Sequence, residues 1–313
     1  MPSRVTDELP EQRILEQSVR LPRGGAVTGW ASLRLHRGAF FDGLAPDGET
    51  RLPVPLAVGS LSRMRGDGLV QVSREPLDPS EVVVVNGIPC TVVRRALFDE
   101  IRRTRELREA VVAMDMAAAA LLVSIRRMRE YLAARGSWRR SSLVQRALGL
   151  ASERSRSPQE TRTRMIWELD AGFPRPLVNQ EVRDLRGRLL GIADLLDVEA
   201  GLVGEFDGAD HRTAVRHTRD LDREGGFRRA GLEVFRVTGI DVRHPGRVVE
   251  RMRFHRSAAR WLPPEDRLWT VELPRGTQRE QTLDEYLDER DFLREVYQSY
   301  EDETPDMHRL RGW

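Results

Sequence analysis

Residues 188–211, RLLGIADLLDVEAGLVGEFDGADH, decide how this chain is read. They contain two short apolar runs that carry acid: Asp194 in the first, and Glu205 and Asp207 at the close of the second. Strand side chains alternate between faces, so Glu205 and Asp207 point one way while Gly204 and Phe206 point the other. The VEAG segment between the runs, residues 198–201, is short enough for a hairpin turn, which sets Asp194 on the strand beside Glu205. Three carboxylates converging at the ends of paired strands offer hard oxygens suited to Mg²⁺. Such an ion can hold a phosphodiester and generate the hydroxide that attacks it. A solvated hairpin with acidic tips is the plain alternative, because acidic residues also form the polar face of half-buried sheets.

The composition narrows the setting. At 313 residues and 40% hydrophobic content the chain suffices for two domains. Its single cysteine, Cys90, excludes an internal disulfide framework and fits a reducing cytoplasm. No apolar run approaches membrane-spanning length, so no membrane association is expected. All 51 Lys+Arg residues are arginines. Arginine forks onto phosphate but is a poor proton shuttle, so chemistry that needs a lysine is excluded. Residues 263–313 carry 7 basic against 14 acidic residues, whereas the preceding segments are mildly basic. That excess permits nucleic-acid binding without demanding it.

In the first half, residues 8–20 read as a short amphipathic helix and the following AVTGWASLRLHRGAFFDGL as helical or mixed. Trp30, Leu33, Leu35, Phe40 and Phe41 there are expected in the core. PVPLAV, LVQVS and EVVVV are β-branched strands between Gly-Asp-Gly, Pro-Leu-Asp-Pro and Asn-Gly turns. Helical spacing then covers Thr91 to Arg103, Glu106 to Ala120 and Ser124 to Arg135, with Ala117–Leu122 expected at the heart of this half. Arg126, Arg127, Arg129, Arg139, Arg140, Arg154 and Arg156 cluster around residues 137–156, interleaved with serines. That segment reads as a connector, either phosphate-gripping or merely solvated.

The second half opens with Ser157-Pro158-Gln159-Glu160, which combines an N-cap, a proline at N1 and a capping-box glutamate. Glu160 has a structural task there, and it also reaches the acidic site if the first turn of this helix packs over the hairpin. A strand, a turn at Asp184–Gly187, the strands of Asp194 and Glu205, a helix from Arg212 to Ala230, the strand LEVFRVT and a helix from Pro245 to Trp261 follow. The order helix, three strands, helix, strand, helix predicts an α/β domain with a mixed sheet.

Two resemblances attach to these stretches. VTGWASLRLHRG, GIPCTVVRRALFD and the helix after them are similar to the C-terminal portion of AbiEi-type antitoxins, repressors of abortive-infection operons. The roughly 25 residues before Val27 are too few for the winged helix-turn-helix with which such antitoxins begin. The runs SPQETRTRMIWELDAGFPRPLVNQEV, GRLLGIADLLDVEAGLVGEFDGADHR and RDLDREGGFRRAGLEVFRVT resemble the DUF559 domain. That family is related to the very-short-patch-repair endonuclease, within the restriction-endonuclease-like PD-(D/E)XK superfamily. The resemblance implies a restriction-endonuclease-like mixed sheet flanked by helices, with Glu160, Asp194 and Glu205 holding Mg²⁺ or Mn²⁺. Asp207 stands where the superfamily has lysine and is expected to bind a second ion or position water, and His211 is the substitute for proton transfer. Asp220 and Arg223 match the D-x-x-R of the next helix as a bracing ion pair, with Arg212, Arg216 and Arg236 as phosphate-facing candidates.

The expected organisation is an antitoxin-like α+β domain over 1–136, a connector over 137–156, a DUF559-like domain over 157–262 and an acidic tail over 263–313. In the tail, residues 282–300 form an amphipathic helix with a Thr282/Glu285 capping box. It docks on the body, serves a partner or second copy, or masks a basic DNA groove. The function that follows is metal-dependent DNA cleavage in repair or in defence against phage and mobile elements. Its rival is a DNA-binding regulator that uses the nuclease fold as a scaffold.

Overall fold

Asn86 and Gly87 sit at φ +51° and +79°, the paired left-handed conformations of a tight hairpin turn. They join β4 (Val82–Val85) to β5 (Ile88–Thr91), in register from Val85↔Ile88 to Val82↔Thr91. The computed structural model describes residues 9–207, 223–274, 276, 277 and 279–303. In its first half β1 (Ala26–Val27), β2 (Val54–Ala57) and β3 (Val70–Ser73) complete a mixed sheet of order β3-β2-β1-β5-β4. The helices α1 (Pro10–Ser18), α2 (Gly29–Leu35), α3 (Val93–Thr104), α4 (Leu107–Ala119) and α5 (Ile125–Ala133) surround it. Their apolar faces share one core around Trp30, Leu56, Phe98 and Met114.

Three expectations for this half need correction. Phe41 is buried, but Phe40 is exposed. Ala117 and Ala118 are buried, yet the chain leaves the helix after Ala119, and Leu121 stands exposed with φ +55°. Residues 137–156 are not a plain connector: they contain α6 (Ser141–Leu150), whose Val144, Ala147 and Leu148 are buried in the first core. The serine and arginine content hid a helix that packs Val144, Ala147 and Leu148, with Leu143 and Leu150 beside them, against the first core.

The second half starts at α7 (Pro158–Met165), capped by Ser157 and prolonged by a π-helical turn, Ile166–Asp170. Its mixed sheet has the order β10-β6-β7-β8-β9, built from β6 (Leu177–Asp184), β7 (Leu189–Asp197), β8 (Leu202–Asp207), β9 (Glu233–Thr238) and β10 (Trp269–Thr270). The described part of α8 spans 223–229, followed by α9 (Gly239–Val242) and α10 (Pro245–Ala258). One sheet face packs Leu195, Leu202 and Phe235 against Trp167, Val248 and Met252. The other packs Leu196, Val203 and Val234 against Phe227 and Trp269. The chain is thus mixed α/β, with two mixed sheets flanked by helices. The sheet also extends beyond residue 262, since Trp269 and Thr270 pair antiparallel with Asp184 and Arg183. No helix of the described residues is long and apolar enough to cross a membrane.

The final helix, α11 (Leu283–Glu303), lies on α5 of the first half. Its Asp288 and Asp291 each meet Arg127 at 2.6 Å, Asp284 meets Arg126 at 3.0 Å, and Leu287 is fully buried. The tail helix docks on the body, and the basic side chains it covers are those of the Arg126–Arg127 pair.

The two halves are joined where α4 crosses α7. Asp115 and Arg164 are both wholly buried and pair at 2.7 Å. Asp115 also accepts the Thr161 hydroxyl at 2.9 Å and the Ser152 N–H at 2.7 Å. Arg162 forks onto Glu109 at 2.8 Å for each nitrogen, and Arg108 meets Asp170 at 2.6 Å. Removing one member of a buried pair strands the other charge in a dry interior, at about 3–5 kcal/mol, whereas apolar replacement of both can be neutral. Asp115→Ala therefore lowers stability by about 3–5 kcal/mol, and a second change, Arg164→Met, restores only part of it, because Arg164 also pairs with Glu168 at 2.8 Å. Urea midpoints at constant slope measure both; an unshifted midpoint in Asp115→Ala overturns this account of the joint.

Candidate functional site

Asp197 shapes the turn that brings the acidic residues together. Its Oδ1 accepts the N–H groups of Glu199 and Ala200 at 3.0 Å, and Arg256 donates to its Oδ2 at 3.0 Å. β7 and β8 leave this turn antiparallel, pairing Asp197↔Leu202, Leu196↔Val203 and Leu195↔Gly204. The next pair is Asp194 opposite Glu205, and there the backbone ladder stops. The Phe206 N–H instead donates to Asp194 Oδ2 at 2.8 Å. A side chain has taken the place of a main-chain carbonyl, so the strands part with Asp194 and Glu205 at the fork.

Alternation along β7 reverses at the same point. A Cβ on Gly191 would come within 2.6 Å of Arg223 Cγ and 2.8 Å of Phe227 Cζ, so Gly191 faces α8. Ala193 buries in the same layer as Phe227. Strict alternation would send Leu195 there as well, but Leu195 packs with Trp167 and Phe235 in the opposite layer, while Leu196 joins Phe227. The partner strand is irregular here too. The β6–β7 ladder keeps one register on either side, Val178↔Leu195 and Gln180↔Ala193, but is interrupted between them at Asn179, which lies opposite Asp194 with φ +45°; its register shifts only further along, between Val182 and Arg183. Asparagine tolerates this left-handed conformation better than most residues.

Asn179 ties the fork to α7. It is buried, and its Nδ2 donates to Glu160 Oε2 at 2.8 Å and to the Arg154 carbonyl at 2.8 Å. Glu160 Oε2 also accepts the Arg156 N–H at 2.9 Å, and Oε1 accepts the Ser157 hydroxyl at 2.9 Å. Ser157 in turn caps the Glu160 N–H at 3.2 Å. The first turn of α7 therefore lies beside the fork, and Glu160 combines its capping task with a place next to Asp194. Burial pushes the Asp194 carboxyl up to about 6, and the neighbouring Glu160 charge adds to the rise.

Glu205 is buried on the face covered by α8, where Arg223 Nη2 donates to Glu205 Oε2. Gly191 permits this contact, because any side chain there would collide with the Arg223 stem. Arg236, on β9 directly across from Glu205, meets Glu224 at 2.8 Å and lies 4.0 Å from Asp207. Asp207 ends β8 opposite Thr238. His211, Arg212, Arg216 and Asp220 lie outside the described residues, so the expected Asp220–Arg223 brace has only its arginine in view. That arginine is engaged with the central carboxylate. Arg236 was expected to face phosphate, and its guanidinium is here turned to Glu224.

Among the described residues, no group of three or more His, Cys, Asp or Glu is gathered in a way that could hold a metal ion. The donor chemistry at the fork nevertheless fits a hard divalent cation. Two carboxylates, Asp194 and Glu160, are close enough to repel, and a cation would relieve the proton affinity this creates. Glu205 joins them if Arg223 yields its place. Beside Asn179 and Arg156 runs a cleft of about 1030 Å³, bordered by Arg154 and Arg183 and, across the gap, by Leu121 and Tyr286.

Asn179, Gly191 and the Phe206 N–H escape a reading of the sequence. Within NQEV, the asparagine interrupting an apolar strand was the available signal. Comparison with protein-family models, with curated proteins and with solved structures returns no match.

The raised Asp194 pKa sets the sign of a pH effect. A carboxyl that binds its proton more tightly when folded lowers stability above its folded pKa, and the loss disappears as pH falls towards its unfolded value. Asp194→Asn removes this titration while keeping an oxygen for the Phe206 N–H. In metal-free buffer it should exceed the parent protein by about 1–3 kcal/mol at pH 7.5. The advantage should shrink as pH drops from 6 towards 4. Thermal melts across that range check it, and a pH-independent difference contradicts the assigned shift.

Proposed function

We propose that the chain is a cytoplasmic Mg²⁺- or Mn²⁺-dependent DNA endonuclease of the restriction-endonuclease-like class. In this reading a DUF559-like second half is joined to an AbiEi-antitoxin-like first half, acting in DNA repair or in defence against phage and mobile elements. The observation that carries it is the parting of β7 and β8, which sets Asp194 and Glu205 at one fork with Glu160 beside them. Asp194, Glu160 and Glu205 would hold the ion. When bound, it supplies positive charge to a phosphodiester and acidifies a water.

The chain's own groups do the rest. The Phe206 N–H fixes the Asp194 carboxylate, and Asn179 with the Arg156 N–H fixes Glu160. Arg223 orients Glu205 and balances its buried charge. Asp207 positions water, His211 exchanges the proton, and Arg212 and Arg216 contact phosphates. Arg236 contributes to phosphate binding only after leaving Glu224.

A second reading is a DNA-binding regulator that keeps the fold as a scaffold. It is favoured by the guanidinium of Arg223 on Glu205, where a cation would act, and by the absence of lysine from the chain. Supercoiled plasmid incubated with Mg²⁺, Mn²⁺ or EDTA separates the two. A nuclease nicks or linearises DNA only with metal, and both Glu205→Ala and Asp194→Asn reduce the rate by about a hundredfold or more, the scale of losing one transition-state contact. Full cleavage by folded Glu205→Ala rules out the assigned site. Salt-sensitive DNA binding that ignores metal, with no cleavage, selects the regulator.

A further inference from the structure

The arginines clustered around residues 137–156 have separate fates. Arg126 and Arg127 hold the aspartates of α11, and Arg154 holds the carbonyls of Val178 and Asn179. Arg139 and Arg140 do neither. They lie before α6 and line a pocket of about 390 Å³ in the first half, remote in sequence from the carboxylate fork. Its other walls are the start of α2 at Thr28 and Gly29, the β2–β3 edge from Pro55 to Gln71–Ser73, and the end of α3.

Five arginines face two carboxylates in this pocket: Arg74, Arg102, Arg103, Arg139 and Arg140 against Glu75 and Asp99. The acidic charge is already engaged. Arg102 meets both Glu75 and Asp99, Asp99 also meets Arg95 at 2.9 Å, and Arg103 is matched by Glu100. Arg74 is pinned by the Ser62 and Met64 carbonyls, at 3.1 Å and 2.6 Å. Arg139 and Arg140 meet no carboxylate among the described residues. Arg140 Nη1 donates to the Arg102 carbonyl at 2.9 Å, and Arg102 Nε holds the Arg139 carbonyl, so the Arg140 side chain and the Arg139 backbone are tied to α3.

Further features point the same way. Burial and the charges of Arg105, Arg139 and Arg102 push the Arg140 guanidinium below its usual pKa, so the cations repel one another. Arg140 holds φ +63°, a conformation costly for a residue with a long side chain. It stands directly before α6, whose ten-residue span starts without a side-chain cap and leaves its positive end beside the arginines. A bound anion would relieve the repulsion.

We propose that this pocket binds a compact chain of two or three phosphates. Paired guanidinium forks recognise phosphate oxygens bidentately. The volume exceeds that of a single phosphate and falls at the lower end of small-molecule sites. The phosphates come from a free polyphosphate-bearing small molecule or from the 5′ end of a nucleic acid. The pocket is independent of the metal-site reading and survives its failure.

Inorganic tripolyphosphate, titrated calorimetrically into the full chain at 150 mM salt, tests the pocket. Saturable one-site binding is expected, weakened at least tenfold in Arg139→Gln/Arg140→Gln. It should be unchanged in Arg186→Gln/Arg188→Gln, which removes two arginines from the β6–β7 turn. Arg139→Gln alone, at an exposed side chain with no hydrogen bond or ion pair among the described residues, must also weaken binding, so misfolding of the double variant does not decide the matter. No saturable heat at millimolar tripolyphosphate, or equal loss in the turn variant, overturns the proposal. Competition by 5′-phosphorylated but not 5′-hydroxyl oligonucleotide assigns the phosphates to a nucleic-acid end; competition by neither, with tripolyphosphate binding intact, assigns them to a free small molecule.

Discussion

The buried Asp115–Arg164 pair is the constraint on which the arrangement of the two halves depends. A carboxylate and a guanidinium in a dry interface tolerate little displacement, because both lose solvation and replace it only with fixed partners: each other, Thr161 and Ser152 for Asp115, and Glu168 and the Leu150 carbonyl for Arg164. Asp115 also accepts the hydroxyl of Thr161, the residue after Glu160. The first half therefore sets the depth and rotation of α7, and α7 sets Glu160 beside the fork. Burial pushes the Asp115 carboxyl upwards, while Arg164 and the hydrogen bonds from Ser152 and Thr161 draw it down.

The fork is the second organising feature. A hairpin capped by Asp197 would ordinarily continue its ladder until the strands ended. Here the Asp194 side chain accepts the Phe206 N–H, and the β6–β7 ladder, its register unchanged, is interrupted at Asn179 opposite Asp194. These departures from a regular sheet coincide with the alternation reversal on β7. Irregular backbone is thus concentrated where the acidic side chains meet, a pattern common where strands must redirect side chains next to a site.

Arginine supplies every fixed positive side-chain charge except protonated histidine, and the structure divides that role. Arg164 and Arg95 are buried structural members; Arg126 and Arg127 clamp the acidic final helix; Arg223 balances Glu205. Arg139 and Arg140 form no ion pair among the described residues and line a pocket whose carboxylates, Glu75 and Asp99, are engaged by other arginines. Net charge of +2 conceals this division, because it averages paired arginines with those that are not.

Local chemistry in the sequence determined most of the elements. Asn86-Gly87 dictates its hairpin, Ser157-Pro158-Gln159-Glu160 its helix start, and the turn at 198–201 the adjacency of Asp194 and Glu205, because each signal acts within a few residues. The helix α6, the extra strand β10 and the exposure of Phe40 and Leu121 were not legible, since they depend on contacts with distant segments. The same division runs through the site. Carboxylates at 160, 194 and 205 are visible as residue types, but their company is not. Asn179 meets Glu160 only because β6 bends at a positive φ, and Arg223 reaches Glu205 only because Gly191 lets α8 lie close. Chain-local hydrogen bonding and apolar periodicity are encoded in neighbouring residues, whereas burial and close approach belong to the packed whole. Helix spacing set the local pairs such as Arg164–Glu168, and tertiary packing decided which charges face each other at the fork and between the halves.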